Sequence, residues 1–380
     1  MKLTKMIIQT WLYGSMLCAC NGERKQNVSD YNETEDLVRI ENYSVNVTDD
    51  CVQIYEGSNC RAITANIANT DYMIAYSLPL HTIDLIALDS TNVFKQIQLE
   101  KEGPNGIIDV KGIFHTGNDF VLRTATGFCR VNEKGSIESK WNMQDFLNKN
   151  PEYTERFPEQ EMFFSLYHFM GFDEKEGLVA IPFYKREKTN GEYAARILIL
   201  SCQNWQIVED VSIRYPQYLN EEEYLGNMGE IYPLPYGNDK LIYNFPASTD
   251  VFVFDRKTRS TQTYSIETKY TESYFHKKDE ENRGISGTCF LPLRYDSYRH
   301  CFWRMQQKPR PKEGGKINHR SFSVTRISSN FEHIGEYKIP EGKNISSFSI
   351  LFTDDKVLFP YLGGEYIGLN NMAFYGLKLY

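Results

Sequence analysis

The chain has 380 residues, 41% hydrophobic and 14% aromatic, enough to build a sizeable packed core. Its formal charge of −8 at pH 7 argues against the basic footprint on which nucleic-acid binding depends. Beyond the N-terminal segment, no run is long and apolar enough to span a bilayer as a helix.

The first residues read as a targeting segment. Lys2 and Lys5 make a short basic start, and Met6 to Leu17 is a mostly apolar run broken by Gln9 and Thr10. That run has the length of a signal-peptide core and is too short to cross a membrane. Leu17-Cys18-Ala19-Cys20 follows at once and reads as a bacterial lipobox. Lipidation needs a thiol at the first mature position and a small residue before it, and Cys20 and Ala19 supply them. Residues 1–19 are therefore expected to be a lipoprotein signal peptide, with Cys20 lipidated and holding the chain to a membrane. An ordinary cleaved signal peptide and a buried hydrophobic N-terminal strand are the alternatives. Residues 20–36 are polar and cannot bury enough surface to order themselves, so they are expected to be a flexible tether. Loss of the two leader lysines would leave the mature chain at −10.

Residues 37–380 show a weak internal repeat. Its clearest part is a hairpin in which an apolar strand, a polar turn and an alternating strand follow one another. Copies run from Leu85 to Leu99, from Phe128 to Trp141 around Asn132-Glu133-Lys134-Gly135, and from Ile197 to Ile213 around Gln203-Asn204. Two more run from Val251 to Ile266 around Asp255-Arg256-Lys257, and from Phe322 to Ile339 around Ser328-Ser329-Asn330. Asp, Asn, Ser and Gly dominate these turns because they tolerate tight hairpin conformations. A sixth unit ends at Met372 to Tyr380 without an outermost strand, while Leu37 to Val47 alternates in front of the first complete unit. An all-β fold follows: a single six-bladed β-propeller whose N-terminal strand joins the last blade and closes the ring. Six units of roughly 57 residues exceed the usual blade of about 40–50. A seven-bladed ring and a pair of packed β-sandwiches are therefore the alternatives.

The lipobox, the stretch Gln98-Leu99-Glu100-Lys101-Glu102-Gly103-Pro104-Asn105-Gly106, and Asn118-Asp119-Phe120-Val121-Leu122 with the Asn132 to Gly135 turn together carry a resemblance. The chain resembles Bacteroidetes lipoproteins with a TolB-like six-bladed propeller, a domain of unknown function. The resemblance covers nearly the whole mature chain. It implies a propeller and a cell-envelope address at the outer membrane, and it carries over no catalytic residue. Surface-exported lipoproteins of that phylum often carry an acidic run after the lipidated cysteine. Asn21-Gly22-Glu23-Arg24-Lys25 stands there instead, which leaves the periplasmic and surface faces both open.

Six further cysteines could oxidise outside the cytoplasm. Cys51 with Cys60, and Cys289 with Cys301, are spaced closely enough to consider as disulfides; buried free thiols are the alternative. No Cys-x-x-Cys, Cys/His ligand spacing, Gly-x-Ser-x-Gly, His-Glu-x-x-His, phosphate loop or EF-hand motif occurs, so neither a metal centre nor a cofactor is expected.

In a propeller the loops joining successive blades share one face with the middle loop of each blade. The long insertions fall in those two classes: 142–161, 215–229 and 267–284 between units, and 185–193 and 306–320 within them. Long loops in a compact domain tend to carry function. Tyr153, Lys185, Arg186, Tyr218, Tyr274, Lys308, Arg310 and Arg320 are the candidate binding face. The leading reading is a binding or interaction module for a glycan, a peptide or a partner protein. A hydrolase or lyase with its site at the central channel mouth is the second reading, and a structural subunit of an envelope complex the third.

Overall fold

A computed structural model describes residues 39–46, 62–78, 80–89, 94–103, 105–156, 171–184, 188, 191–221, 225–270, 288–308, 312–313, 316–317, 321–340, 345–346, 349–361 and 371–379. Their strands form six small antiparallel sheets, arranged as the blades of a six-bladed β-propeller. Blade 1 runs outward through Ile63–Ile67, Thr70–Ser77, Thr82–Ala87 and Phe94–Gln98. Blade 2 uses Gly112–Thr116, Asp119–Arg123, Gly127–Val131 and Ile137–Asn142. Blade 3 uses Gly171–Asp173, Leu178–Tyr184, Ala194–Ser201 and Ile207–Arg214. Blade 4 uses Tyr232–Tyr236, Lys240–Asn244, Asp250–Asp255 and Ser260–Ser265.

In blade 5 the inner strand is split. Cys289–Phe290 and Arg294–Asp296 both pair with Cys301–Gln307, which is followed by Phe322–Ser328 and His333–Lys338. Pro292 lies between the two pieces, where it has no N–H to give to a ladder. Blade 6 has Leu351–Phe352, Lys356–Pro360 and Asn371–Lys378. Its fourth strand is Arg39–Asn46, which pairs antiparallel with Asn371–Lys378 from Arg39 opposite Lys378 to Asn46 opposite Asn371. The ring thus closes on the N-terminal strand, as the repeat predicts.

The pattern that makes the repeat visible has a packing cause. Blade faces pack on neighbouring blades, so middle strands are buried on both sides: Thr82–Ala87 is buried throughout, and so is Cys301–Gln307. Such strands read as continuous apolar runs. Outer strands have one wet face and alternate, as Ile137–Asn142 does. The buried hydrophobic residues fall into six clusters, one for each seam between neighbouring blades. No seam dominates, and no helix among the described residues is long and apolar enough to cross a membrane.

A recurrent latch links the blades at their outer edges. The last turn of one blade grips the outer strand of the blade before it. Gly135 of blade 2 abuts the Gln98 carbonyl of blade 1. Trp205 Nε1 of blade 3 donates to Ser139 Oγ of blade 2 at 2.9 Å. Arg256 and Arg259 of blade 4 both pair with Glu209 of blade 3. Phe331 of blade 5 packs on Tyr264 of blade 4, with ring centroids 4.7 Å apart.

The Cys289–Cys301 disulfide is corrected. Cys289 lies opposite Gln307, at the far end of the strand that Cys301 begins. Six residues of strand separate those levels, about 20 Å, whereas a disulfide needs Cα atoms within about 7 Å. Neither cysteine is in a disulfide, and neither are Cys129 and Cys202. Cys51 and Cys60 lie outside the described residues.

Gly135 has φ of +82°, and a Cβ there would sit 2.1 Å from the Gln98 carbonyl oxygen. Gly135→Ala is expected to destabilise the chain by about 2 kcal/mol, through strain and a lost latch together. Urea denaturation measures it, and Gly103→Ala is the comparison, since its φ of +86° faces open space.

Candidate functional site on the loop face

Strand direction defines two faces. The turns within blades, such as Ala68–Asn69 with φ of 51° and 66°, lie on one side. The blade-to-blade segments and the middle loops lie on the other, the loop face. The described ends of the long insertions leave and rejoin the blades on that side.

The segment after blade 2 folds as two short helices, Met143–Lys149 and Pro151–Arg156. Asn142 caps the first by accepting a hydrogen bond from the Asp145 amide at 3.1 Å. Met143, Phe146 and Leu147 are buried against blades 2 and 3. Tyr153 is buried with them, its ring edge-on to Phe146 and Phe183. Its hydroxyl donates to Asp210 Oδ2 at 2.5 Å, while the Arg196 guanidinium lies 5.2 Å over its ring and also grips Asp210. Burial, and then the hydrogen bond to Asp210, hold the Tyr153 hydroxyl well above its ordinary pKa. Tyr153 is therefore a core residue that pins the helical segment down, not a ligand-facing one. Its aromatic type predicts both roles equally, and only the helix that carries it decides.

Tyr218 belongs to the linker between blades 3 and 4, on the short helix Gln217–Asn220. Its hydroxyl lies 2.7 Å from Asp250 Oδ2 and 2.9 Å from Ser248 Oγ. The phenol proton is directed at both acceptors, the Asp250 carboxylate and Ser248 Oγ. Ser265 Oγ donates to the other oxygen of Asp250 at 2.6 Å. The half-buried ring of Tyr218 thus stays on the loop face with its polar tip fixed.

Nearer the channel mouth, Glu230 precedes the inner strand of blade 4 and is buried. Tyr232 donates to its Oε2 at 3.2 Å, and Tyr215, equally buried, donates to the Gly229 carbonyl at 2.6 Å. Burial and the adjoining tyrosine and carboxylate charges push both phenols well above their ordinary pKa. Arg304, fully buried in blade 5, donates from Nη1 to the Thr249 carbonyl at 2.8 Å and lies 5.2 Å over the Phe290 ring. Burial lowers its pKa to about 10, which leaves it charged at neutral pH. Sequence reasoning passed over Asp250, Glu230 and Arg304. The usable signal was charge inside an otherwise apolar run, as in Cys301-Phe302-Trp303-Arg304-Met305.

His81, in the middle loop of blade 1, has φ of 60°. Its Nε2 meets the Glu100 carbonyl at 3.1 Å and must donate, so Nδ1 accepts from the Tyr76 hydroxyl at 2.7 Å. It ties the middle loop to the segment leading into blade 2. Two large apolar side chains stand out on the loop face over blades 1 and 2: Leu78, 64% exposed, and Ile108, 75% exposed. Lys188 Nζ lies 5.5 Å from the Tyr193 ring centroid in the middle loop of blade 3. Over blades 4 and 5, Lys269 and Lys308 flank Tyr270, with Nζ atoms 5.7 Å and 5.8 Å from its ring centroid. Lys308 is thus placed where the loop argument puts it, while Lys185, Arg186, Tyr274, Arg310 and Arg320 lie outside the described residues. Among the described residues no three His, Cys, Asp or Glu side chains converge as metal ligands. The buried carboxylates at the mouth are engaged with hydroxyls. What faces solvent here is ammonium, phenol and aliphatic carbon together with exposed carboxylates such as Glu102, Asp109, Glu152 and Glu267.

Fold and loop face together define a six-bladed β-propeller with its elaborated loops gathered on one side. The model of a domain of unknown function, DUF4221, matches residues 38–338, and the chain belongs to that family. A DUF4221 member from Bacteroides vulgatus is similar in structure at 17% identity, with a TM-score of 0.68 over 90% of this chain and 98% of that one. A supposed exported protein from Bacteroides fragilis is similar at 11% identity, with a TM-score of 0.50 over 93% of this chain and 98% of that one. No curated protein matches.

His333, on the outer strand of blade 5, is held neutral: burial and then the Arg304 charge lower its pKa to about 4. The unfolded chain binds that proton near pH 6.5. Stability is therefore expected to fall as pH drops from about 6.5 towards 4, and His333→Gln to flatten that part of the curve. Thermal melts across the window check it; an unchanged slope in the variant sinks the assignment.

Proposed function

We propose that this protein is a lipid-anchored envelope β-propeller that binds a ligand or partner with its loop face. The carrying observation is the polarity of the closing strand. Arg39, where the described chain begins, pairs with Lys378 at the turn-face end of blade 6. The polar segment that precedes it therefore joins the propeller on the side away from the long loops. Residues 21–38 reach no more than about 60 Å even fully extended. With lipid on Cys20, the turn face is turned to the membrane and the loop face to the surrounding space. Export, as supposed for the Bacteroides fragilis neighbour, agrees with this address. The solvent-facing lysines, tyrosines and aliphatics of the loop face support recognition of a glycan, a peptide or a protein.

Two measurements test the reading. In cells that process lipoproteins, the chain is expected to sediment with membranes and Cys20→Ala to be released; sedimentation of both forms removes the anchor. On arrays of glycans and peptides, the full chain is expected to capture at least one class. Leu78→Asp with Ile108→Asp, or Lys188→Glu, should impair capture, whereas Ile207→Asp, exposed at the turn-face end of blade 3, should not. Capture that follows Ile207, or no capture of any class, overturns the binding module.

A further inference from the structure

Towards the loop face, the third strands of blades 1, 3, 4 and 5 each place a polar residue on the side that meets the preceding blade of the ring. In three of them protein groups answer it. Arg196 of blade 3 pairs with Asp210. Asp250 of blade 4 takes the Ser265 hydroxyl on Oδ1 and the Tyr218 hydroxyl on Oδ2. Thr325 Oγ1 of blade 5 accepts from Gln306 Nε2. In blade 1 the residue is Asp84, and only half of it is answered. Thr82 Oγ1 at 2.6 Å and Gln96 Nε2 at 3.3 Å both donate to Oδ1. Oδ2 has no hydrogen-bond partner, although the residue is 0% exposed. Ser77 is equally buried, and its Oγ has no partner either. The strand register brings these two oxygens together. Ser77 lies opposite Thr82 and Ala75 opposite Asp84, so all four side chains share one face and Ser77 is diagonal to Asp84. Diagonal neighbours have β-carbons about 7 Å apart, a gap that one small ion or one water spans. The face is that of the closing seam, for Ala75 and Ile86 on it pack with Leu351, Leu358 and Phe374 of blade 6.

We propose that Asp84 Oδ2, Ser77 Oγ and the lone pairs of Thr82 Oγ1 hold a monovalent alkali cation, sodium or potassium, in the seam between blade 1 and blade 6. The site is separate from the loop-face reading and does not depend on it. Carboxylate and hydroxyl oxygens select hard cations over metals that favour thiolate or imidazole. The single carboxylate decides the charge. A monovalent ion cancels it, whereas a divalent ion leaves a positive charge in the seam at high cost. Magnesium fits less well still, because it gives up its own waters reluctantly. A lone water satisfies both oxygens but leaves the carboxylate charge in place. No cationic side chain among the described residues acts on Asp84, and burial raises its pKa in spite of the donors on Oδ1. An ion here ties the charge of the first blade to the stability of the ring closure.

The test is the melting temperature of the full chain in sodium, potassium, calcium or tetramethylammonium chloride at one ionic strength. Tetramethylammonium is too large for the seam and serves as the blank. Sodium or potassium at roughly 150 mM should raise the transition by about 3 °C over the blank. Asp84→Asn keeps the shape and removes the charge, and should erase that difference. Ser77→Ala keeps the charge and removes one ligand, and should raise the cation concentration at half effect about tenfold. If Asp84→Asn does not fold, Ser77→Ala decides alone, and an unmoved half-effect concentration sinks the site. Equal melting of the unaltered chain in all four salts overturns it. So does a cation effect that survives Asp84→Asn, since the ion then sits elsewhere. A rise with calcium alone overturns the monovalent assignment.

Discussion

Eight pairs of residues between Arg39–Asn46 and Asn371–Lys378 decide whether this chain is a ring or an open row of sheets. Each blade has an inner edge at the channel and an outer edge at the rim, and each buries its faces only against its neighbours. A row has two end blades, each with a bare hydrophobic face. Here the sixth seam unites blade 6 with blade 1 through Met73, Ala75, Ile86, Leu351, Leu358 and Phe374. Seam contacts such as Ala62 N to Ser349 Oγ, and Phe352 N to Thr64 Oγ1, bridge nearly the whole length of the chain. A last blade of three strands would leave Asn371–Lys378 as an unpaired edge of the kind that recruits foreign strands. The N-terminal strand covers that edge and joins the two ends of the chain in one sheet.

The inner edges show the other side of this constraint. Pro233 and Pro235 both sit in the inner strand of blade 4, and Pro292 splits that of blade 5. An edge strand has one bonded side only, so a missing N–H can point into the channel without cost to a ladder. The rim is regulated differently. Backbone pairing stops at each outer strand, and the latches between blades use whatever chemistry the two sequences provide: a glycine against a carbonyl, an indole on a hydroxyl, two guanidiniums on one carboxylate, a phenyl on a phenol. Position in the architecture is repeated while residue identity is not, which is why the repeat is weak in sequence and strong in space.

That contrast explains what could be read in advance. Period and polarity are set by burial, so the hairpins at Phe128 to Trp141 and Val251 to Ile266, the missing outer strand of the last unit and its N-terminal substitute were all legible. Side-chain partners across a seam were not. Cys289 and Cys301 look adjacent because a turn lies between them, yet the split inner strand puts them at opposite ends of Cys301–Gln307. Tyr153 looks like a loop aromatic, yet its helix turns it onto Phe146 and Phe183. Tyr218 and Lys308 were found on the expected face because loop class alone places them. The pairings that organise that face, Tyr218 with Asp250 and Lys308 with Tyr270, join residues 32 and 38 positions apart and leave no local pattern in the chain.

The direction of the closing strand has a mechanical meaning. Any pull on the chain ahead of Arg39, resisted at the loop face, runs parallel to Arg39–Asn46. Such a load is shared by all eight pairs at once, as in a lap joint under shear. Had the strand entered from the loop face, the same force would have peeled the pairs apart one after another, starting at the rim. A ring held by its first strand is in this way strongest along the axis that joins its point of attachment to its opposite face.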